Sequence, residues 1–238
     1  KNQNNMRTKA LLLSAALCAA VVPSAIAQVY SVNAVGFINL PEIPAGNFAI
    51  IANQLDNGAG NMLSDVLSDV PGGTRVYAFD VDAQDYIIAT YDDYDGAWLP
   101  ADQAALIDLS PGKGVFLLAG SQPVNITLVG DVPQNVLTVG FPNDGVNFNL
   151  ISSKVPQRGD LVADLKYTPT SGDRIYRFDP AAQDYTIIKT YDDYDGAWLP
   201  VGGPDDMTIE VGEGFWIKAA AASSGEWTRD FDINDPNS

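Results

Sequence analysis

Thr90 to Pro100 reads TYDDYDGAWLP, and the same eleven residues recur unchanged from Thr190 to Pro200. Weaker echoes surround them in matching order. Arg75-Val-Tyr-Ala-Phe-Asp80 answers Arg174-Ile-Tyr-Arg-Phe-Asp179, and Ala83-Gln-Asp-Tyr86 answers Ala182-Gln-Asp-Tyr185. Downstream, Pro111-Gly-Lys-Gly-Val-Phe116 answers Val211-Gly-Glu-Gly-Phe-Trp216. Upstream, Val35-Gly-Phe-Ile-Asn39 answers Val139-Gly-Phe-Pro-Asn143. A fixed spacing of about one hundred residues means one supersecondary unit used twice.

Each unit reads as mainly β. In the first, Val29 to Leu40 and Phe48 to Ala52 are rich in β-branched and aromatic residues, and a Pro/Gly/Asn-rich break follows. Asn61 to Val70 differs, because Met62, Val66, Leu67 and Val70 fall at helical spacing before Pro71-Gly-Gly73 stops the pattern. Asp160 to Tyr167 occupies the same place in the second unit. A meander follows: Arg75 to Phe79, a turn, Asp85 to Tyr91, a tight hairpin at Asp95-Gly96, and Ala97 to Leu99. Gly114 to Ala119 and Val124 to Val129 complete it. The expectation is a mainly β protein of two tandem homologous domains, 28–131 and 132–238. Each is a β-sandwich or open barrel with one short helix.

The spacing between echoes is not uniform. Gln84 to Gln183 is 99 residues, but Ile88 to Ile188 is 100. One residue, Thr186, is therefore extra inside a strand of the second unit. A one-residue slip would turn every following side chain to the other face, so a β-bulge near Thr186, or a longer turn before it, is expected.

Residues 1–27 read as a secretory signal peptide: Met6-Arg-Thr-Lys9, the apolar run Ala10 to Val22, and the small-x-small site Ala25-Ile-Ala27. Lys1 to Asn5 read as upstream translation. A lipid anchor on Cys18 is the rival reading, and Leu17 fits it poorly. Removing this leader takes away three bases and no acid, so the formal charge goes from −17 to −20. Such a surface repels phosphate backbones, which argues against nucleic acid. No later apolar run approaches the roughly 20 residues of a transmembrane helix. The sequence has no His, and its one Cys lies in the leader. Ser-His-Asp and Cys-His catalysis are thereby closed, leaving carboxylate chemistry or a Lys or Tyr base. No catalytic residue is assigned, and the chain is read as a non-enzyme.

The duplicated segment admits three readings. In the first it is a hairpin whose Trp98 and Trp198 pack inward. In the second, Asp92, Asp93 and Asp95, with Asp192, Asp193 and Asp195, bind calcium through clustered carboxylates. The EF-hand pattern fails, because Tyr91 and Tyr191 stand where its first acid should be. In the third, Tyr91, Tyr94 and Trp98, with Tyr191, Tyr194 and Trp198, stack on a glycan, and two copies give bivalency.

The order Asn149-Leu-Ile-Ser152, Ile175-Tyr-Arg-Phe-Asp179, Tyr185, Trp198 and Val211-Gly-Glu-Gly-Phe-Trp-Ile217 resembles a repeat of exported and surface proteins of bacteria. In the first copy Ala49-Ile-Ile-Ala52 and Val115-Phe-Leu117 replace parts of that skeleton. The resemblance implies an extracellular β-rich module and carries no functional residues. The expected role is a secreted structural or adhesive protein, extracellular or on the surface of a bacterium. It would self-associate into an oligomer or filament through exposed strands. Gln28 to Leu40 is the strand offered for donation, unless it pairs within its own domain. The alternative is a bivalent carbohydrate-binding module.

Overall fold

The computed structural model describes residues 34–201 and 207–235. The leader, Gln28 to Asn33 and the segment 202–206 lie outside the described residues. Within Asn33–Ser238 the chain forms one compact unit.

Two five-stranded antiparallel sheets dominate, and they share one strand order. The first runs β2 (Phe48–Ala52), β6 (Gly114–Leu118), β3 (Arg75–Asp80), β4 (Asp85–Asp92), β5 (Ala97–Leu99) across the sheet. The second runs β9 (Asn149–Ser152), β15 (Gly214–Lys218), β11 (Arg174–Asp179), β12 (Asp184–Asp192), β13 (Ala197–Leu199). Two-stranded ribbons close each repeat on itself. β1 (Val35–Asn39) pairs with β7 (Thr127–Asp131), and β8 (Asn135–Gly140) with β16 (Glu226–Phe231). The strand offered for donation is thus engaged within its own repeat over Val35–Asn39. A shorter pairing of β10 (Gly159–Asp160) with β14 (Thr208–Ile209) mirrors the single Met62–Asp108 bridge of the first repeat.

Alternation along the strands assigns the two faces of each sheet. Val76, Ala89, Trp98 and Leu117 face the first repeat's core with Leu55, Leu63 and Ile107. Ile175, Phe215 and Ile217 do the same in the second, against Leu161, Leu165 and Trp227. The opposite faces pack on each other through Phe48, Tyr77, Phe79 and Phe116 of one repeat and Phe148, Tyr176, Phe178 and Trp216 of the other. Phe79 meets Trp216 edge-on at 4.7 Å, and Phe116 meets Phe178 at 5.4 Å.

The expected bulge is present at Thr186. Arg177 pairs with Ile187 and Phe178 with Tyr185, leaving Thr186 without an opposite residue, whereas Ala78–Ile87 and Phe79–Tyr86 run without a break. Of the two expected short helices, the first is present but shortened and the second is absent. The first is a single turn, α1 (Leu63–Val66), and Leu67 leaves helical geometry with ψ at 65°. The Leu67 carbonyl then accepts the Trp98 indole N–H at 2.7 Å. The second repeat has no helix at 160–167. Asp160 gathers the nearby donors into one wide turn: its carboxylate accepts from Val162 and Ala163, and its carbonyl from Asp164 and Leu165. Lys166 then exits at positive φ. A second helical turn, α2 (Ala101–Ala104), lies instead in the first repeat, between β5 and β6.

Candidate functional site

The duplicated hairpins have the same backbone in both repeats. Asp92 pairs with Ala97, and Asp192 with Ala197, so four residues rather than two form each loop. Gly96 and Gly196 both adopt φ of +61°, a conformation glycine takes without steric cost. Asp92 Oδ1 accepts the Tyr94 and Asp95 N–H groups at 2.9 and 3.2 Å, and Asp192 Oδ1 accepts Tyr194 N–H at 2.8 Å. These aspartates therefore tie their own turns.

That geometry bears on the calcium reading. Asp93 and Asp95 are exposed, as are Asp193 and Asp195, while Asp92 and Asp192 are committed to the turn. Among the described residues no group of three or more acids converges on one point as metal ligands.

The rings of the glycan reading differ widely in exposure. Tyr91 and Trp98 are 8 % and 5 % exposed and pack edge to face at 5.3 Å inside the core. The Tyr91 hydroxyl donates to the Ser68 carbonyl at 3.1 Å. Tyr191 and Trp198 keep the same edge contact at 5.3 Å, but both are half-buried. Only Tyr94 and Tyr194 stand free, 95 % and 93 % exposed at the hairpin tips. The motif thus fully presents one ring per repeat, with Tyr191 and Trp198 partly exposed beside it in the second.

The half-burial of Trp198 has a local cause. Trp227 donates its indole N–H to the Leu165 carbonyl at 2.9 Å, taking the place that Trp98 holds against Leu67. Trp198 is left stacked on Tyr167 at 6.4 Å, and its buried Nε1 has no hydrogen-bond partner.

Two related pockets lie where the repeats meet. One, of about 340 Å³, is lined by Ile43, Ile51, Ile187 and Val211 beside Arg177 and Glu213. The other, of about 300 Å³, is lined by Thr138, Asn149 and Lys154 beside Asp108 and Lys113. Arg177 donates to both carboxylate oxygens of Glu213 at 2.7 and 2.9 Å, so the pair neutralises itself. Asp108 accepts from Lys113 at 2.6 Å and from the Ser110 hydroxyl at 2.5 Å. Desolvation would raise the Asp108 pKa, but Lys113 and Ser110 outweigh it and hold the carboxyl below its ordinary range.

A third surface was not anticipated. Opposed residues share a sheet face, and the registers place Arg75, Tyr77, Ile88, Thr90 and Leu99 on one face of the first sheet. The second sheet places Arg174, Tyr176, Ile188, Thr190 and Leu199 in the same positions. The five residue types are the same. On the inward face Ala78, Ala89 and Val115 are answered by Arg177, Lys189 and Phe215 while Ile87, Tyr91 and Trp98 are unchanged; on the outward face Phe116 and Leu118 are answered by Trp216 and Lys218. The signal was available in the echoes around the duplicated segment, and only the strand register separates outward from inward positions. Ile88 and Ile188 are 41 % and 50 % exposed.

Among the described residues no helix is long and apolar enough to cross a membrane. No family model, curated protein or solved structure matches the chain.

Proposed function

We propose that this chain is an exported, non-catalytic structural or adhesive protein of the outside of a bacterial cell, made to display one outward surface twice and to associate with copies of itself. The leader-like residues 1–27 support export, and the strong acidity supports solubility once outside. One observation carries the reading. Five outward positions, Arg75, Tyr77, Ile88, Thr90 and Leu99, keep their residue types at Arg174, Tyr176, Ile188, Thr190 and Leu199, although Phe116 and Leu118 on the same face become Trp216 and Lys218. Surface positions are ordinarily the freest to vary and core positions the most constrained by packing. Arg75 and Ile88 lie outside the eleven-residue duplication and, like Arg174 and Ile188, are exposed, so core packing does not account for their retention.

The absence of His from the sequence, and of Cys after residue 18, supports the non-catalytic part. The nearest ion pairs are satisfied and serve to join segments of the fold. Cell fractionation and light scattering on the chain from Gln28 to Ser238 test the proposal together. Recovery outside the cell with assemblies larger than one chain is expected. A cytoplasmic monomer overturns it.

A further inference from the structure

The two exposed strips bear on what partner this surface takes. Three properties belong to them together. They are apolar at the centre, with Ile88 and Leu99 on one sheet and Ile188 on the other among the exposed large hydrophobic residues. They are mixed in charge, with an exposed Arg75 or Arg174 on the same face as Asp92 or Asp192. They also continue a surface that is already occupied. Tyr77 and Phe79, next to Ile88 and Tyr86 in register, belong to the aromatic cluster that seats one repeat on the other.

We propose that the strip Arg75–Ile88–Thr90–Leu99, and its counterpart Arg174–Ile188–Thr190–Leu199, docks a second copy of this chain, sheet face against sheet face. This rests on the reading of the protein as a self-associating component and names the surface that does it. The occupant follows from continuity: within the chain, the same face of each sheet already holds a copy of the same repeat. Charge agrees, because a strip carrying its own Arg and Asp is self-complementary when a second copy approaches about a two-fold axis. The ribbon β1–β7 also exposes Val35, Phe37 and Val129, but the corresponding ribbon β8–β16 carries Thr138, Thr228 and Asp230 outward. That patch occurs once per chain and has no internal precedent.

Net charge sets the condions under which docking shows. Copies of a chain with formal charge −17 or beyond repel one another at low salt. Screening removes the repulsion and leaves the apolar contact, since the Debye length falls from about 30 Å at 0.01 M to about 3 Å at 1 M salt. Association through these strips therefore strengthens as ionic strength rises, the reverse of an assembly held by salt bridges.

The test is sedimentation of the Gln28–Ser238 chain across a salt series, with the double variant Ile88→Ser/Ile188→Ser and the control Phe37→Ser. The expected result is association that grows with salt in the unaltered chain and in the control, and that falls at least tenfold in the double variant. Because residues 28–238 contain no cysteine, Ile88→Cys supplies a second measurement. It should form disulfide-linked dimers in air, while Val136→Cys, exposed but off the strip, should not. Association that persists in the double variant overturns the strip and leaves self-association standing. A monomer at every salt concentration overturns both. Binding of soluble polysaccharide to the strip, without self-association, assigns the surface to a glycan and overturns the second copy.

Discussion

Gln84 holds the backbone of Phe148 at both of its polar groups: its side-chain oxygen accepts the Phe148 N–H at 2.9 Å, and its amide donates to the Phe148 carbonyl at 3.1 Å. Gln183 returns the arrangement on Phe48 at 2.8 and 2.9 Å. Each glutamine therefore acts as one more strand residue at the edge of the other repeat's sheet. Both sit at positive φ, 52° and 55°, where a non-glycine residue is uncommon and costs energy. The clamp compensates for that cost.

Gln84→Ala keeps the strained backbone and removes the clamp, leaving a half-buried N–H and C=O without partners. The expected loss is about 1–3 kcal/mol for the single variant. The pair Gln84→Ala/Gln183→Ala should separate the unfolding of the repeats into two transitions. Denaturant unfolding followed by Trp fluorescence reads this directly. One unbroken transition with unchanged midpoint would show that the aromatic cluster alone joins the repeats.

Gly114 and Gly214 mark the point where the two repeats cross. A Cβ on Gly214 would stand 2.8 Å from the Ile50 Cγ2 and 3.0 Å from the Gly114 Cα; one on Gly114 would stand 3.1 Å from the Ile151 carbonyl oxygen. Bridges at Ile51–Glu213 and Lys113–Ile151 flank the crossing on either side. Gly214→Ala must push the strands apart and is expected to cost roughly 1–3 kcal/mol. Gly140→Ala, which has open space around its new methyl, is the neutral control. Equal melting temperatures for the two variants would contradict the close approach.

Much of this architecture is legible in the residues. The alternation in Arg75-Val-Tyr-Ala-Phe-Asp80 gives both the strand and its two faces. The arithmetic of the echoes locates Thr186 as the bulged residue, because register is a count and the count is in the sequence. The Gln84 and Gln183 echo is also visible, but its purpose is not, since each glutamine acts on a strand 64 or 135 residues away. At 160–167 Asp160 caps the first turn as it would cap a helix, but Leu165 and Tyr167 then close on the Asp160 and Leu161 carbonyls and Lys166 turns to positive φ, so the turn is not continued. The duplicated segment misleads most. The same eleven residues bury Trp98 and half-expose Trp198, because the difference lies in Trp227, a residue outside the repeat's matching echoes.

That asymmetry predicts different costs for one substitution made twice. Trp98→Ala removes a buried ring and its hydrogen bond to Leu67, with an expected cost of about 3–5 kcal/mol. Trp198→Ala removes a half-buried ring with an unpaired N–H, and about half that cost is expected. Trp198→Phe should be close to neutral, because it deletes the orphaned donor. Thermal melts of the three variants order these costs, and iodide should quench Trp198 while sparing Trp98. Equal losses at both sites would mean that the second repeat packs its tryptophan as tightly as the first.

The inter-repeat contact should also loosen at alkaline pH. Burial, and then the charge of nearby Tyr185, push the Tyr86 hydroxyl up from 10.0 to about 12. Burial raises Tyr185 too, against the partial opposition of the Trp216 indole N–H, which donates to its oxygen at 2.8 Å. A pKa raised on folding means that the folded state holds its proton more tightly than the unfolded chain. The associated stability is complete below pH 10 and is lost as pH climbs from there through about 12. Tyr167, raised by burial and by the Asp173 carboxylate its hydroxyl contacts at 2.7 Å, adds to the same limb from the second core. Tyr86→Phe/Tyr185→Phe should therefore flatten the alkaline fall in part and leave the Tyr167 portion. Stability measured against pH, with tyrosinate absorbance recorded alongside, separates the two shares. A fall that the double variant leaves unchanged would assign the whole limb to the second core and acquit the contact between repeats.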